Sequence, residues 1–221
     1  MDDYLSEKEQ WEWMKTQIRV NGPWIVAGVA AGALLLGGWR WWQARADGFA
    51  VAASAQYQQI VDAFGRGDRA RALSLIDTLV REQPNSPYID QANLAAARVL
   101  VGAGELDQAS ARLKTVMEHS ADHALALVAR ERLARVQIAQ NAPDAALATL
   151  GAVDPGSFAP LYHEVRADAF AAKKDFPTAL KEYRAARGAE ASGIVDAESL
   201  DLKIGDLVAD ERAPTAAGAA K

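Results

Sequence analysis

His119 and His123 stand four residues apart, a spacing that puts two imidazoles on one helix face and lets them share a metal ion. Ser120-Ala121 between them reads as a turn that ends a helix, and beyond Asp122 no third or fourth ligand is in sight. The expectation is therefore two solvated histidines and no metal. His163 is followed by Glu164 and Asp168, which could form an acid–base set; on a helix such a grouping reads as a solvated polar face. The chain has no cysteine, which removes disulfides, cysteine-based zinc sites and thiol nucleophiles together. Neither a phosphate-cradling glycine loop nor a serine-nucleophile motif occurs. No cofactor and no enzymatic activity are expected. The net charge of -5 over 221 residues gives no general attraction to nucleic acid.

What remains is chemistry of contact, and it depends on a repeat. After residue 46 apolar side chains recur at helical spacing, broken every 15 to 20 residues, without strand alternation. The breaks resemble one another: Gly67-Asp68-Arg69-Ala70-Arg71-Ala72-Leu73, Gly104-Glu105-Leu106-Asp107-Gln108-Ala109, Asn141-Ala142-Pro143-Asp144-Ala145-Ala146-Leu147 and Lys174-Asp175-Phe176-Pro177-Thr178-Ala179-Leu180. Ala72, Ala109, Ala146 and Ala179 are spaced by 37, 37 and 33 residues, a period typical of a helical solenoid. Gly or Asn at the turn stops one helix, and Asp or Glu then opens the next, where the helix dipole favours an anion. Ile76, Leu113, Leu150 and Tyr183 follow these alanines by four positions, and Ile60, Ala97, Ala134 and Ala167 precede them by twelve. Small residues on both helices permit close approach, the layout of a degenerate tetratricopeptide repeat.

The first helix of each hairpin would line a concave groove. By register, Tyr57, Phe64, Arg98, Val101, Arg135 and Ile138 could face it, a mixed apolar and cationic surface suited to an extended or helical peptide. The alternative for Val101 and Ile138 is packing between repeats.

The N-terminal region solves a different physical problem. All six tryptophans fall between Trp11 and Trp42, and no charge occurs between Arg19 and Arg40. About 20 residues of helix cover a hydrocarbon core roughly 30 Å thick. Trp24 marks one edge, Trp39, Trp41 and Trp42 the other, and Arg40 can snorkel to the headgroups. Gly28 and Gly32 form a small-xxx-small pair that permits helix contact in lipid. Ala44-Arg45-Ala46 has the form of a signal-cleavage site, yet the preceding segment is acidic and WRWWQARA is bulky, so a retained anchor is expected. Lys8, Lys15 and Arg19 before the span nearly balance Arg40 and Arg45 after it, and charge bias leaves the orientation open. Ser6 to Glu9 has capping-box form, and Asn21-Gly22-Pro23 reads as an interruption before the span.

The expected fold is thus all-α: an N-terminal transmembrane helix followed by a tetratricopeptide-like helical-hairpin solenoid. The expected divisions are a short amphipathic segment (1–20), the transmembrane helix (21–42), four repeats (48–187), a C-terminal capping segment (188–208) and a disordered tail (209–221).

Glu9-Gln10, Lys15, Asn21-Gly22, Gly28-Val29, Gly32 and Gly38-Trp39-Arg40-x-Trp42, with Leu202-Lys203 and Asp206-Leu207 near the end, resemble the YfgM family of ancillary SecYEG translocon subunits. The resemblance covers nearly the whole chain; the segment after Val208 extends beyond the family pattern. It implies a cytoplasmic N-terminus, one pass through a bacterial inner membrane and a periplasmic repeat domain. It also implies association with SecYEG and the periplasmic chaperone PpiD, and help for exported polypeptides passing from channel to folding factors. Two other roles stay open at this stage, a structural scaffold for envelope complexes and a tethered regulator of an envelope stress response.

Overall fold

The structure is a computed structural model that describes residues 7–151, 153–188 and 194–218. Among them nine α-helices follow in order: α1 (Glu7–Gly65), α2 (Arg69–Glu82), α3 (Tyr88–Gly102), α4 (Leu106–His119), α5 (His123–Ala139), α6 (Pro143–Leu150), α7 (Ala159–Ala172), α8 (Phe176–Gly188) and α9 (Ala197–Gly218). The chain divides into two units, one ending at Ser54 and the other beginning at Ala55.

The first unit lies on α1. Its segment Ile18–Gln43 has a mean hydropathy of 1.6 with none of it buried, and is long and apolar enough to cross a membrane. Trp24, Trp39, Trp41 and Trp42 are all exposed. Trp39 and Trp42, one turn apart, have ring centroids 5.6 Å apart, and the Arg45 guanidinium lies 6.0 Å from the Trp41 ring. Gly28 and Gly32 have no heavy atom within 4 Å of where a Cβ would stand, so the notch between them is open. Pro23 lies inside α1, so the helix is not interrupted at Asn21-Gly22-Pro23 as the sequence suggested. Proline removes one N–H from the ladder, a loss that an otherwise continuous apolar helix tolerates. The capping box at Ser6 to Glu9 begins outside the described residues.

The second unit is a row of hairpins. The end of α1 from Ala55 onward is linked to the end of α2 by Gln56, whose side chain bonds those of Glu82 and Gln83; α3 pairs with α4, α5 with α6 and α7 with α8, and α9 packs on α8. Ala72, Ala109, Ala146 and Ala179 are wholly buried, and Ile60, Ala97, Ala134 and Ala167 are buried twelve residues before them. Ile76, Leu113, Leu150 and Tyr183 complete the buried set. Their small partners let the helices of each hairpin pack closely, and the large side chains fill the space toward the next hairpin. The core continues to the C-terminus, where Val195, Leu200 and Leu207 bury against Ala179, Leu180 and Tyr183. Within the 188–208 capping stretch residues 189–193 lie outside the described part. Helix α9 runs on to Gly218, so residues 209–218 are helical where the sequence suggested a disordered tail; Ala, Glu and Arg there favour the helix and Pro214 opposes it. Residues 219–221 lie outside the described part.

The four turns share one chemistry. Gly67, Gly104, Asn141 and Lys174 have φ of 75°, 76°, 58° and 63°. At each, the following N–H reaches back five residues: Asp68 to Ala63, Glu105 to Leu100, Ala142 to Gln137 and Asp175 to Phe170, at 2.9–3.0 Å. The turn residue's own N–H reaches back three, at 2.9–3.0 Å. This is the Schellman ending, which satisfies the last carbonyls of a helix by a left-handed residue. Gly104→Ala is expected to cost about 1 kcal/mol through the backbone alone, since nothing lies within 4 Å of the added Cβ. Lys174→Gly is expected to stabilise by roughly 0.5–1 kcal/mol. Urea unfolding followed by circular dichroism checks both signs.

Candidate functional site

First helices of successive hairpins stand side by side, α3 beside α5 and α5 beside α7. Their common register places Val61, Arg98, Arg135 and Asp168 at equivalent positions, and Lys203 of α9 continues the row at a similar interval. A second row is Phe64, Val101, Ile138 and Ala171, and a third is Tyr57, Leu94, Glu131 and Glu164.

The six residues read from the sequence as groove-facing differ in their surroundings. Tyr57 is half-buried and stacks on Tyr88, with ring centroids 5.3 Å apart. Phe64 is half-buried, and Ile138 packs against the cluster of Leu127, Ala134, Ala146 and Leu150. Arg98 is exposed, and Val101 is 42 % exposed. Arg135 is not a free cation. Its guanidinium pairs with Glu131, one turn earlier on α5, and with Glu164 of α7 at 3.3 Å.

That pairing opens onto a network. Lys203 Nζ donates to Glu164 Oε1 at 2.8 Å and to Asp168 Oδ1 at 2.9 Å, and lies 5.6 Å from the Tyr183 ring centre. The Tyr183 hydroxyl donates to Asp168 Oδ1 at 2.5 Å. Three carboxylates thus hold two cations from α5 and α9 across α7. Burial works against the Lys203 ammonium, but its bonds to Glu164 and Asp168 outweigh that and hold its pKa above the ordinary lysine value. Burial likewise opposes the Arg135 charge, and Glu131, then Glu164 and Asp168, raise its pKa nonetheless. The Tyr183 phenol is pushed up by burial first and by its bond to Asp168 second.

The sequence reading of Glu164 and Asp168 as a solvated face is therefore corrected. Glu164 is 9 % exposed, and both carboxylates face cations brought from distant helices. His163 is half-buried, with Nδ1 2.7 Å from Glu182 Oε2 of α8, rather than solvated. Lys203 and Glu131 escaped notice as participants. The signal was the interval from Arg135 through Asp168 to Lys203, which carries the repeat register into α9.

His119 ends α4 and His123 begins α5, with Ser120 as C-cap and Asp122 as N-cap accepting from Ala124 and Leu125 N–H. Among the described residues no group of three or more His, Cys, Asp or Glu side chains is placed to hold a metal ion. What the face offers is complementary contact: an exposed apolar and cationic stretch over the first two hairpins, and a self-satisfied ionic stretch over the last two.

Residues 13–209 match the family model described as a tetratricopeptide repeat-like domain. Among solved structures, MamA 41-end from Desulfovibrio magneticus RS-1 superposes with a TM-score of 0.50 at 15 % identity, over 73 % of this chain and 96 % of that one. That likeness concerns the fold alone. The ancillary SecYEG translocon subunit of Escherichia coli K12 is 30 % identical over 94 % of this chain and 99 % of its own length. That of Neisseria gonorrhoeae is 30 % identical over 94 % of this chain and 100 % of its own. With an exposed apolar helix ahead of tetratricopeptide-like hairpins and similarity running from end to end, this chain belongs to the YfgM family of ancillary SecYEG translocon subunits.

Proposed function

We propose that this protein is a non-enzymatic adaptor, anchored in the bacterial inner membrane beside the SecYEG translocon, that links exported chains to periplasmic chaperones. The observation that carries the reading is one exposed apolar helix segment, Ile18–Gln43, followed in the chain by tetratricopeptide-like hairpins. In this reading the N-terminus is cytoplasmic and the repeat domain periplasmic, with PpiD the chaperone partner that the family resemblance implies. Tethering replaces affinity: a domain held next to the channel exit meets its partners at an effective concentration of roughly millimolar, so weak contacts suffice. Low intrinsic affinity also lets an exported segment leave.

Protease protection in spheroplasts tests the topology, using full-length protein tagged at the C-terminus. Digestion of the repeat domain from outside, with the tag lost and the span kept in the membrane fraction, is the expected result. Protection until lysis would put the domain in the cytoplasm and end the adaptor reading. Gentle solubilisation is expected to recover channel subunits with the intact protein; their absence would equally count against it.

A further inference from the structure

Arg98 and Arg135 hold the same register on successive first helices, yet only one of them is neutralised. The residue four positions earlier decides this. Before Arg135 stands Glu131, on the same helix face and bonded to it. Before Arg98 stands Leu94, which is buried in the core with Ala97, Leu113 and Val116. The next carboxylate in register, Glu131 on α5, is engaged by Arg135. Arg98 consequently makes no hydrogen bond or ion pair with any described residue.

Its surroundings are apolar. Few large aliphatic side chains among the described residues of the second unit are exposed, and two of them are Arg98's neighbours in register: Val61 in its own row at 38 % and Val101 in the next at 42 %. Phe64 is half-buried in the row of Val101. Beyond Arg135 the face is closed to a ligand of either charge, because Lys203 occupies Glu164 and Asp168. This part of the face therefore carries an exposed, unpaired guanidinium next to exposed aliphatic side chains, and a carboxylate that reaches it makes a charge-assisted hydrogen bond while its apolar neighbours cover Val61 and Val101.

We infer that the face bearing Val61, Phe64, Arg98 and Val101 binds a polypeptide segment of apolar side chains carrying a carboxylate, with that carboxylate on Arg98. The inference rests on the adaptor reading of this face and adds the chemistry of what it contacts. Selection is by charge sign as well as by apolarity, so segments bearing lysine or arginine among their apolar residues are rejected at this position.

The test uses full-length protein in nanodiscs of neutral lipid and two fluorescein-labelled peptides. One is built on the repeat Leu-Leu-Asp-Ser, the other has Lys in place of Asp. Fluorescence anisotropy is expected to show the acidic peptide binding about tenfold more tightly than the basic one at low salt, with the difference shrinking as salt rises. Arg98→Glu is expected to reverse that order, and Val101→Asp to weaken the acidic peptide. Arg98 and Val101 are exposed, so both variants keep the fold, and circular dichroism checks it. Equal binding of the two peptides by wild type, or an order unchanged in Arg98→Glu, overturns the inference. Channel subunits are expected to co-purify with Arg98→Glu as with wild type. Loss of co-purification from the wild type would sink the adaptor reading while leaving the charge preference of the groove standing.

Discussion

Tyr162→Ala is expected to destabilise the repeat domain by about 3–5 kcal/mol and to split its unfolding into two transitions. Tyr162 is the largest wholly buried side chain among the described residues. It belongs to α7 but packs in a cluster with Leu127 and Ala134 of α5 and with Ala146 and Leu150 of α6. Its hydroxyl donates to the Leu127 carbonyl at 3.0 Å. The side chain thus ties the fourth hairpin to the third, and burial pushes its pKa up to about 12. In a solenoid each hairpin is held by its neighbours, so loss of one interface lets the two sides unfold separately. Tyr162→Phe keeps the volume and loses only the hydrogen bond, and is expected to cost about 1 kcal/mol. The measurement is urea unfolding by far-ultraviolet circular dichroism. Tryptophan fluorescence would be blind to it, because all six tryptophans lie between Trp11 and Trp42. A single transition shifted by less than the phenylalanine variant would show that the interface is carried elsewhere.

The hairpins were legible because their chemistry is local and periodic. Gly67, Gly104, Asn141 and Lys174 mark the turns in sequence, and each is left-handed in the structure. The alanines at 72, 109, 146 and 179 mark close helix contacts, and each is buried. The span was legible from its charge-free run bounded by tryptophans. The continuity of α1 through Pro23 was not, because a proline after Asn21-Gly22 reads locally as a helix boundary whatever the helix beyond it does. Nor were the partners of Arg135. Its neighbour in sequence, Glu131, could be read from helix spacing, but Glu164 and Lys203 meet only when hairpins stack. Residues 29 and 39 positions apart leave no trace in a single-helix pattern. They are visible only if the repeat register is extended into α9.

Lys203→Met is expected to cost about 2–3 kcal/mol, although methionine keeps most of the side chain's apolar stem. The Lys203 side chain is 31 % exposed, Glu164 12 % and Asp168 22 %, so the pair is partly shielded and the expected loss is below that of a fully buried one. Removing the ammonium leaves Glu164 sharing Arg135 with Glu131, and leaves Asp168 with the Tyr183 hydroxyl alone. Combining Lys203→Met with Asp168→Asn is expected to recover part of the loss, because the second change removes the stranded charge. The same network sets a pH dependence. Lys203 and Tyr183 both have folded pKa values above their ordinary ones, so the folded chain keeps these protons longer than the unfolded chain does. Their contributions are fully present below pH of about 10 and are lost as pH climbs through the folded values. Stability is expected to fall above that pH by up to roughly 1.4 kcal/mol per pH unit for each group. In Lys203→Met one of the two groups is gone, so the alkaline limb is expected to be shallower. A variant within about 0.5 kcal/mol of wild type, with an unchanged alkaline limb, would mean that the apolar contacts of Leu200, Ile204 and Leu207 and the Arg187–Asp201 pair dock α9 without Lys203. The ionic end of the groove would then be open to exchange, and a basic segment of a partner could take the place of Lys203 without unfolding the cap.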